Sequence, residues 1–228
     1  MNWEKSSRRT VLPPTGFFEY LYPMKIVRLS NRDELLELFK REIKEIRQQK
    51  PEGLMHIALA GGRSMGAAVG AILAQDPDTR NRMRFYLVDE RLKGDKNKDT
   101  LLNEGLTDPI AIPELGKPLS KEPFDLVFLG IGEDGHFASL FPGTYTEDKT
   151  EEQVLLVEDS PKPPKRRTTL SYRGFRTLAT SKVFLLFLGE GKREALSRVL
   201  SGESPETLPV SFFVTESFDS TIITDLKE

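Results

Sequence analysis

A histidine lies in a glycine-rich loop directly after a short apolar segment. The segment is Leu126–Leu129, and the loop runs from Gly130 through Asp134 to His136. Imidazole titrates near neutral pH, so His136 could take a proton from water. Asp134 could hold the ring in one tautomer. We therefore expect His136 to be a general base that Asp134 orients; the alternative is a loop histidine that only caps or packs. His56 lies inside a predicted strand, where a structural role is expected.

A second group of residues is suited to binding an anion. Gly61, Gly62, Arg63 and Ser64 lie between an apolar segment and a small-residue helix, where backbone N–H groups and a hydroxyl could face a phosphate. Lys192 opens a later helix, and a cation there opposes the helix dipole unless an anion binds. The pattern around Ser64 also fits a nucleophile elbow, so a serine esterase stays open as an alternative.

The composition excludes several classes of protein. The 228 residues contain no cysteine, so disulfides, thiolate nucleophiles and cysteine-ligated metals are excluded. The net charge is −2, which argues against nucleic acid as a partner. No apolar segment is long enough to span a membrane, and the first 24 residues lack the apolar core of a secretory signal. A cytoplasmic protein without a bound metal is expected.

Apolar strands alternate with amphipathic helices along most of the chain. Strands are predicted around 55–60, 85–88, 126–129, 168–171, 183–188, 210–214 and 221–224. Helices are predicted after Asn31, over 65–74 and through Leu200. This alternation indicates an α/β fold with a largely parallel sheet. Ligands of such sheets bind beyond the carboxyl ends of the strands, where the loops at 61–64, 89–91, 130–136 and 189–192 would converge. Residues 1–23 are expected to form an irregular extension before a single domain over 24–228.

Five motifs together resemble the 6-phosphogluconolactonase family, within the wider group that includes glucosamine-6-phosphate isomerase/deaminase. The motifs are Ala60–Ser64, Val88–Arg91, Phe124–Gly143, Arg167–Leu170 and Gly189–Leu196. The residues after the histidine, Ala138–Gly143, look like the lactonase branch. The resemblance implies a Rossmann-like α/β sandwich of the isomerase/lactonase type. It also implies hydrolysis of 6-phospho-D-glucono-1,5-lactone to 6-phosphogluconate, in the oxidative pentose phosphate pathway, without any cofactor.

The same resemblance implies a role for each motif residue. His136 would activate water against the lactone carbonyl, with Asp134 orienting it. Asp89 and Arg91 would face the sugar and the developing oxyanion. Gly62, Ser64, Arg167 and Lys192 would form the phosphate site, and Gly61 and Arg63 are expected to bind the substrate as well. The expected partner is a small sugar phosphate, and a monomer is expected although the sequence leaves the oligomeric state open.

The chain also departs from the family pattern. Met65 stands where proline is frequent, and Phe137 stands where threonine is usual. The segment between Arg91 and Phe124 is shorter than usual, so a helix that helps enclose the substrate could be missing. A sugar-phosphate-binding protein without turnover, a deaminase-type isomerase and the Ser64 esterase therefore remain as alternatives.

Overall fold

The computed structural model describes residues 25–107, 109–145, 152–216 and 218–227. The predicted extension over residues 1–23 lies outside these ranges. Ten strands are described: β1 Lys25–Arg28, β2 Met55–Leu59, β3 Met83–Leu87, β4 Asp89–Arg91, β5 Ile110–Ala111, β6 Leu126–Gly130, β7 Val154–Val157, β8 Arg167–Leu170, β9 Lys182–Phe187 and β10 Asp219–Thr224.

Seven α-helices are described alongside these strands: α1 Arg32–Gln49, α2 Gly66–Leu73, α3 Pro77–Asn81, α4 Asn97–Asn103, α5 Tyr172–Leu178, α6 Arg193–Leu200 and α7 Phe212–Thr215. The longest, α1, begins as the sequence predicts. The Asn31 side chain accepts a hydrogen bond from the backbone N–H of Glu34, and the Glu34 side chain accepts one from the N–H of Ser30. No helix of the described ranges is long and apolar enough to cross a membrane.

Seven strands form one parallel sheet, in the order β1-β10-β9-β6-β2-β3-β5. The strands are apolar because helices cover both faces of the sheet, as in other parallel sheets. Phe128 of β6 is fully buried between Phe39 of α1 and Phe184 of β9, with ring centroids 4.6 and 5.3 Å away. The predicted α/β class with a largely parallel sheet is confirmed.

The chain direction across the sheet reverses between β2 and β6. From β2 the chain continues through β3 to β5 on one side, and from β6 through β9 to β10 on the other. Loops that leave two such neighbouring strands diverge to opposite faces, which opens a crevice at the carboxyl edge of the sheet. The loop after β2 contains Gly61–Ser64. Gly130 ends β6, and the loop that follows it runs to His136.

A second, antiparallel sheet lies beside this edge, in the order β4-β8-β7. Strand β4 follows β3 after a single residue, so the chain passes directly from one sheet into the other. In the pairing of β4 with β8, Arg91 lies opposite Arg167.

The strand predicted over Val210–Val214 is wrong. A 3-10 turn, Pro209–Ser211, leads into the single helical turn α7 there. Pro209 has no N–H for a sheet and fixes a φ angle suited to a helical start. Phe212 and Phe213 are buried on all sides among other aromatic rings, so the segment reads as a continuous apolar run with no helical period.

Candidate active site

A cavity of about 660 Å³ lies at the carboxyl edge of the parallel sheet, beside the point where the strand order reverses. Three loops contribute to its wall, those after β2, β6 and β9, and so does the segment before β8. Residues on the wall include Gly61, Ser64, Gly132, His136, Lys162 and Lys192. The structure thus brings the candidate base and two of the candidate anion-binding side chains to one cavity.

The imidazole of His136 is held at its Nδ1 atom. Nδ1 is hydrogen-bonded to Oδ1 of Asp134, and the backbone N–H of His136 donates to the same oxygen at 3.4 Å. A carboxylate only accepts hydrogen bonds, so in the neutral ring Nδ1 carries the proton and Nε2 is the acceptor. The His136 side chain is 16% exposed. This is the tautomer that a base acting through Nε2 requires.

The charge state of Asp134 is fixed by its surroundings. Burial by itself raises the pKa of the carboxyl group. The hydrogen bond from His136, the charge of that ring when it is protonated, and the charge of Lys162 outweigh burial, so the pKa of Asp134 lies well below its ordinary value. Asp134 is therefore a carboxylate at neutral pH and stays one on mild acidification.

Two further contacts fix the ring of His136: its stacking on Phe141 and its close approach to the backbone at Gly132. It stacks on Phe141, whose ring centroid is 4.7 Å away at an interplanar angle of 29°. Phe141 is buried, and the Arg167 guanidinium lies over its ring at 5.7 Å. At Gly132 a Cβ atom would overlap the His136 ring and the Asp134 carboxylate, so this close approach requires glycine.

Two loops with the same local structure also contribute to the wall. After β2, Gly62 with φ +95° leads through a 3-10 turn, Arg63–Met65, into α2. After β9, Gly189 with φ +90° leads through the turn Glu190–Lys192 into α6. Lys192 is therefore the residue before α6 rather than part of its first turn. These turns bring Ser64 and Lys192 to the cavity.

Gly62 has open space beside it. The Ser64 hydroxyl packs against Gly130, where a Cβ atom would overlap it. Within the described ranges no hydrogen bond joins Ser64 to His136 or to any other base, which a serine nucleophile would need. The geometry therefore offers the Ser64 esterase no activated nucleophile.

Asp89 lies in the interior beside the cavity rather than on its wall. Its carboxylate accepts hydrogen bonds from the Ser139 hydroxyl at 2.7 Å and from the Asn97 amide at 3.3 Å. It is 4% exposed, and burial raises the pKa of Asp89 despite these bonds. In this structure Asp89 ties strand β4 to the loop after His136.

Arg91 and Arg167 also lie apart from the described wall of the cavity. Arg91 donates from Nη1 to the Asp95 carbonyl at 3.0 Å. Arg167 is 6% exposed and donates to the carbonyls of Pro164, at 3.0 Å, and Lys162, at 2.8 Å. Burial lowers the pKa of the Arg167 guanidinium. The structure thus does not bring these three predicted substrate contacts, Asp89, Arg91 and Arg167, to the cavity.

Lys162 and Phe141 contribute to the site although the sequence reasoning assigned them no role. Lys162 lies in a basic run beside prolines, Lys162–Arg167, a composition that usually marks a solvated loop. Phe141 lies inside the longest motif, where the sequence does not distinguish an aromatic residue of the site from one of the core.

Among the described residues, no three His, Cys, Asp or Glu side chains group closely enough to hold a metal.

The chain is similar to known proteins in sequence and in fold. Residues 111–223 match the family model described as glucosamine-6-phosphate isomerases/6-phosphogluconolactonase. The resemblance to this family is confirmed.

Individual relatives align with part of the chain. Over 104 residues the chain is 38% identical to the probable 6-phosphogluconolactonase 4, chloroplastic, of Oryza sativa subsp. indica. Over 88 residues it is 40% identical to the human 6-phosphogluconolactonase. These segments cover 45% and 39% of this chain, but only 32% and 33% of the relatives. The chain thus aligns with about a third of their length.

Solved structures extend the similarity of fold over most of the chain. A 6-phosphogluconolactonase from Shewanella baltica superimposes with a TM-score of 0.72 at 18% identity, covering 90% of this chain and 98% of that one. The 6-phosphogluconolactonase from Thermotoga maritima gives 0.67 at 23% identity, covering 88% and 97%. A monomeric glucosamine-6-phosphate deaminase gives 0.66 at 20%, covering 88% and 97%. At these identities the likeness establishes the fold, which is the isomerase/lactonase type that the motifs predict.

Proposed function

We propose that the protein hydrolyses 6-phospho-D-glucono-1,5-lactone to 6-phosphogluconate, with His136 as the general base. One observation carries the proposal: a histidine held at Nδ1 by a carboxylate shares a cavity with Ser64 and Lys192. A substrate with a phosphate at one end and an electrophilic carbon at the other matches that arrangement. The relatives named as 6-phosphogluconolactonases support the same substrate.

In the proposed reaction, water adds to C1 of the lactone while its proton moves to Nε2 of His136. Asp134 stabilises the imidazolium that forms. The tetrahedral intermediate then collapses, the bond from C1 to the ring oxygen breaks, and the imidazolium returns its proton to that oxygen. One water is consumed, and the product is an open-chain carboxylic acid that ionises at neutral pH. Asp134 orients the ring and needs no proton transfer of its own.

The phosphate end of the substrate would lie against Gly61, Gly62, Ser64 and Lys192. A dianion there offsets the positive charge of Lys192 and the partial positive charge at the start of α2. Binding a remote group in this way fixes the reacting carbon beside the base, which lowers the entropic part of the barrier. Arg63 lies in the same loop and belongs to the same proposed contact.

The decisive experiment compares two histidine variants. Lactone opening is measured against its spontaneous rate for the parent, His136→Gln and His56→Gln. Replacing the base is expected to lower kcat about 10²–10⁴-fold. His56 is the matched control, because it lies at the far end of β2, where its Nδ1 is 2.8 Å from the Tyr86 hydroxyl, and its loss should leave kcat within about twofold.

The same assay separates the alternatives. Equal rates for the parent and His136→Gln would contradict the proposal. A protein that binds 6-phosphogluconate but does not accelerate lactone opening would be a sugar-phosphate-binding protein. Release of ammonia from glucosamine 6-phosphate would instead assign the deaminase activity. This alternative is tested because the fold is similar to that of a monomeric glucosamine-6-phosphate deaminase.

A further inference from the structure

Lys162 places a cation close to the candidate base. Its Nζ atom lies 3.4 Å from Nδ1 of His136 and 3.5 Å from Oδ1 of Asp134. The same side chain is on the cavity wall and is 47% exposed. Arg91, to which the family resemblance assigns the developing oxyanion, points instead to the Asp95 carbonyl.

The main chain of Lys162 is clamped by two buried side chains. The Ser160 hydroxyl accepts from the Lys162 N–H at 3.2 Å and donates to the Lys162 carbonyl at 2.8 Å. Arg167 also donates to that carbonyl, from Nη2 at 2.8 Å. Ser160 is 2% exposed and Arg167 is 6% exposed. These hydrogen bonds fix the backbone of Lys162, while its side chain lies on the cavity wall.

The neighbouring cations of the same run are paired differently. Lys165 binds Asp159 at 2.5 Å, and Arg166 binds Glu158 at 2.8 Å, all with side chains more than half exposed. Lys162 instead shares the carboxylate that holds His136. Of the cations at 162, 165 and 166, Lys162 alone lies on the described cavity wall.

We propose that Lys162 is a catalytic residue whose ammonium group stabilises the negative charge that forms on the lactone carbonyl oxygen when water adds to C1. The inference rests on the proposed function. A lysine ammonium is a compact charge on a flexible stem, so it can follow the carbonyl oxygen as that oxygen leaves the plane of the lactone. The attraction between this ammonium group and an oxyanion is stronger in a partly buried cavity than it would be in bulk water. Product formation leaves a carboxylate at the same carbon, so Lys162 should contact the C1 carboxylate of 6-phosphogluconate as well.

The test uses two ligands and two variants of the full chain. Calorimetry gives the Kd of 6-phosphogluconate and of glucitol 6-phosphate, which has the same phosphate but an uncharged hydroxymethyl group at C1. Lys162→Met is expected to weaken binding of 6-phosphogluconate at least about tenfold and to leave glucitol 6-phosphate unchanged. Lys165→Met, the matched control on the same loop, should change neither Kd. In the lactone assay, Lys162→Met is expected to lower kcat about 10²–10³-fold, and Lys162→Arg to recover part of the loss.

Binding and turnover fail in distinguishable ways. If Lys162→Met keeps the parent's preference for the carboxylate ligand, or keeps its kcat, the assignment of Lys162 is overturned even when the parent is an active lactonase. If the parent does not open the lactone but Lys162→Met still loses the carboxylate preference, both the proposed reaction and the catalytic role of Lys162 are overturned, and only a carboxylate-binding role of Lys162 is supported. Thermal unfolding of each variant, expected within about 2 °C of the parent, shows that the fold is intact.

Discussion

The carboxylate of Asp134 joins the imidazole of His136 to the ammonium of Lys162, and this contact makes stability depend on pH. The pKa of Asp134 in the folded protein lies below the ordinary value of about 3.9. A lowered pKa contributes stability that is fully present above the unfolded value and is lost as the pH falls through the folded one. The contribution should therefore be complete at neutral pH, begin to decline below about pH 4, and be lost only as the pH falls through the lower folded-state pKa.

Asp134→Asn tests this pH dependence. The parent should have the higher Tm at pH 7, and the difference should shrink as the pH is lowered from about 4 towards 2, because the carboxyl group then binds a proton in the unfolded chain but not in the folded protein. Thermal unfolding followed by circular dichroism at several pH values measures it. Asp159→Asn, which removes an exposed ion pair to Lys165, should change the Tm little at any pH. A difference that widens on acidification would contradict the assigned ion contacts of Asp134.

At the level of single residues, the sequence predicts what lies close in the chain. His136 and Asp134 are two residues apart in one turn, so their pairing follows from local geometry alone. Lys162 reaches the same carboxylate from 28 positions further along the chain, a contact made only by the folded protein. Asp89 shows the opposite case, because its motif position suggests a ligand contact whereas the pairing of β4 with β8 draws it into the interior.

Replacing two different glycines by alanine should have different effects: one change should lower activity, and the other should raise stability. Gly132→Ala would push the His136 ring from its place in the loop after β6, and kcat for the lactone should fall at least about tenfold. Gly70→Ala lies within helix α2, where the added methyl group meets only the flexible end of Leu36 at 3.2 Å. The second change should raise stability by up to about 1 kcal/mol and leave kcat unchanged.

Steady-state kinetics and urea unfolding of the two variants measure these effects. Full turnover by Gly132→Ala would show that the ring does not depend on the close approach at that position. A loss of activity in Gly70→Ala would show that α2 is coupled to the site more tightly than its contacts suggest. The double variant should show the sum of both effects, because the sites share no described contact.

At the level of elements, the sequence predicts the regular part of the fold well. Most predicted strands lie within two residues of those observed, and helix α1 begins at its predicted cap, Asn31, while Glu34 accepts from the N–H of Ser30, one residue before that cap. The exception at Val210–Val214 follows from burial on every side, which removes the periodicity that separates a helix from a strand. The antiparallel sheet β4-β8-β7 was not predicted, because its three short strands pair over distances along the chain that no local pattern records.

For the molecule as a whole, stability should depend on the packing between α1 and the central strands. Phe128→Ala would remove the ring that contacts both Phe39 and Phe184, and it should lower the free energy of unfolding by about 3–5 kcal/mol. Leu200→Ala removes a side chain of similar chemistry that is 42% exposed, and it should cost under about 0.5 kcal/mol. Urea denaturation compares them. Similar losses for both variants would mean that this aromatic contact does not anchor the core.

The position of β10 in the sheet has a consequence for synthesis on the ribosome. Among the described strands β1 pairs with β10 alone, and β10 separates β1 from β9. Although domains begin to fold while they are translated, Lys25–Arg28 must therefore wait for Asp219–Thr224 to emerge. Until then the nascent polypeptide presents the bare edge of β9, the kind of surface that chaperones shield and that aggregation exploits.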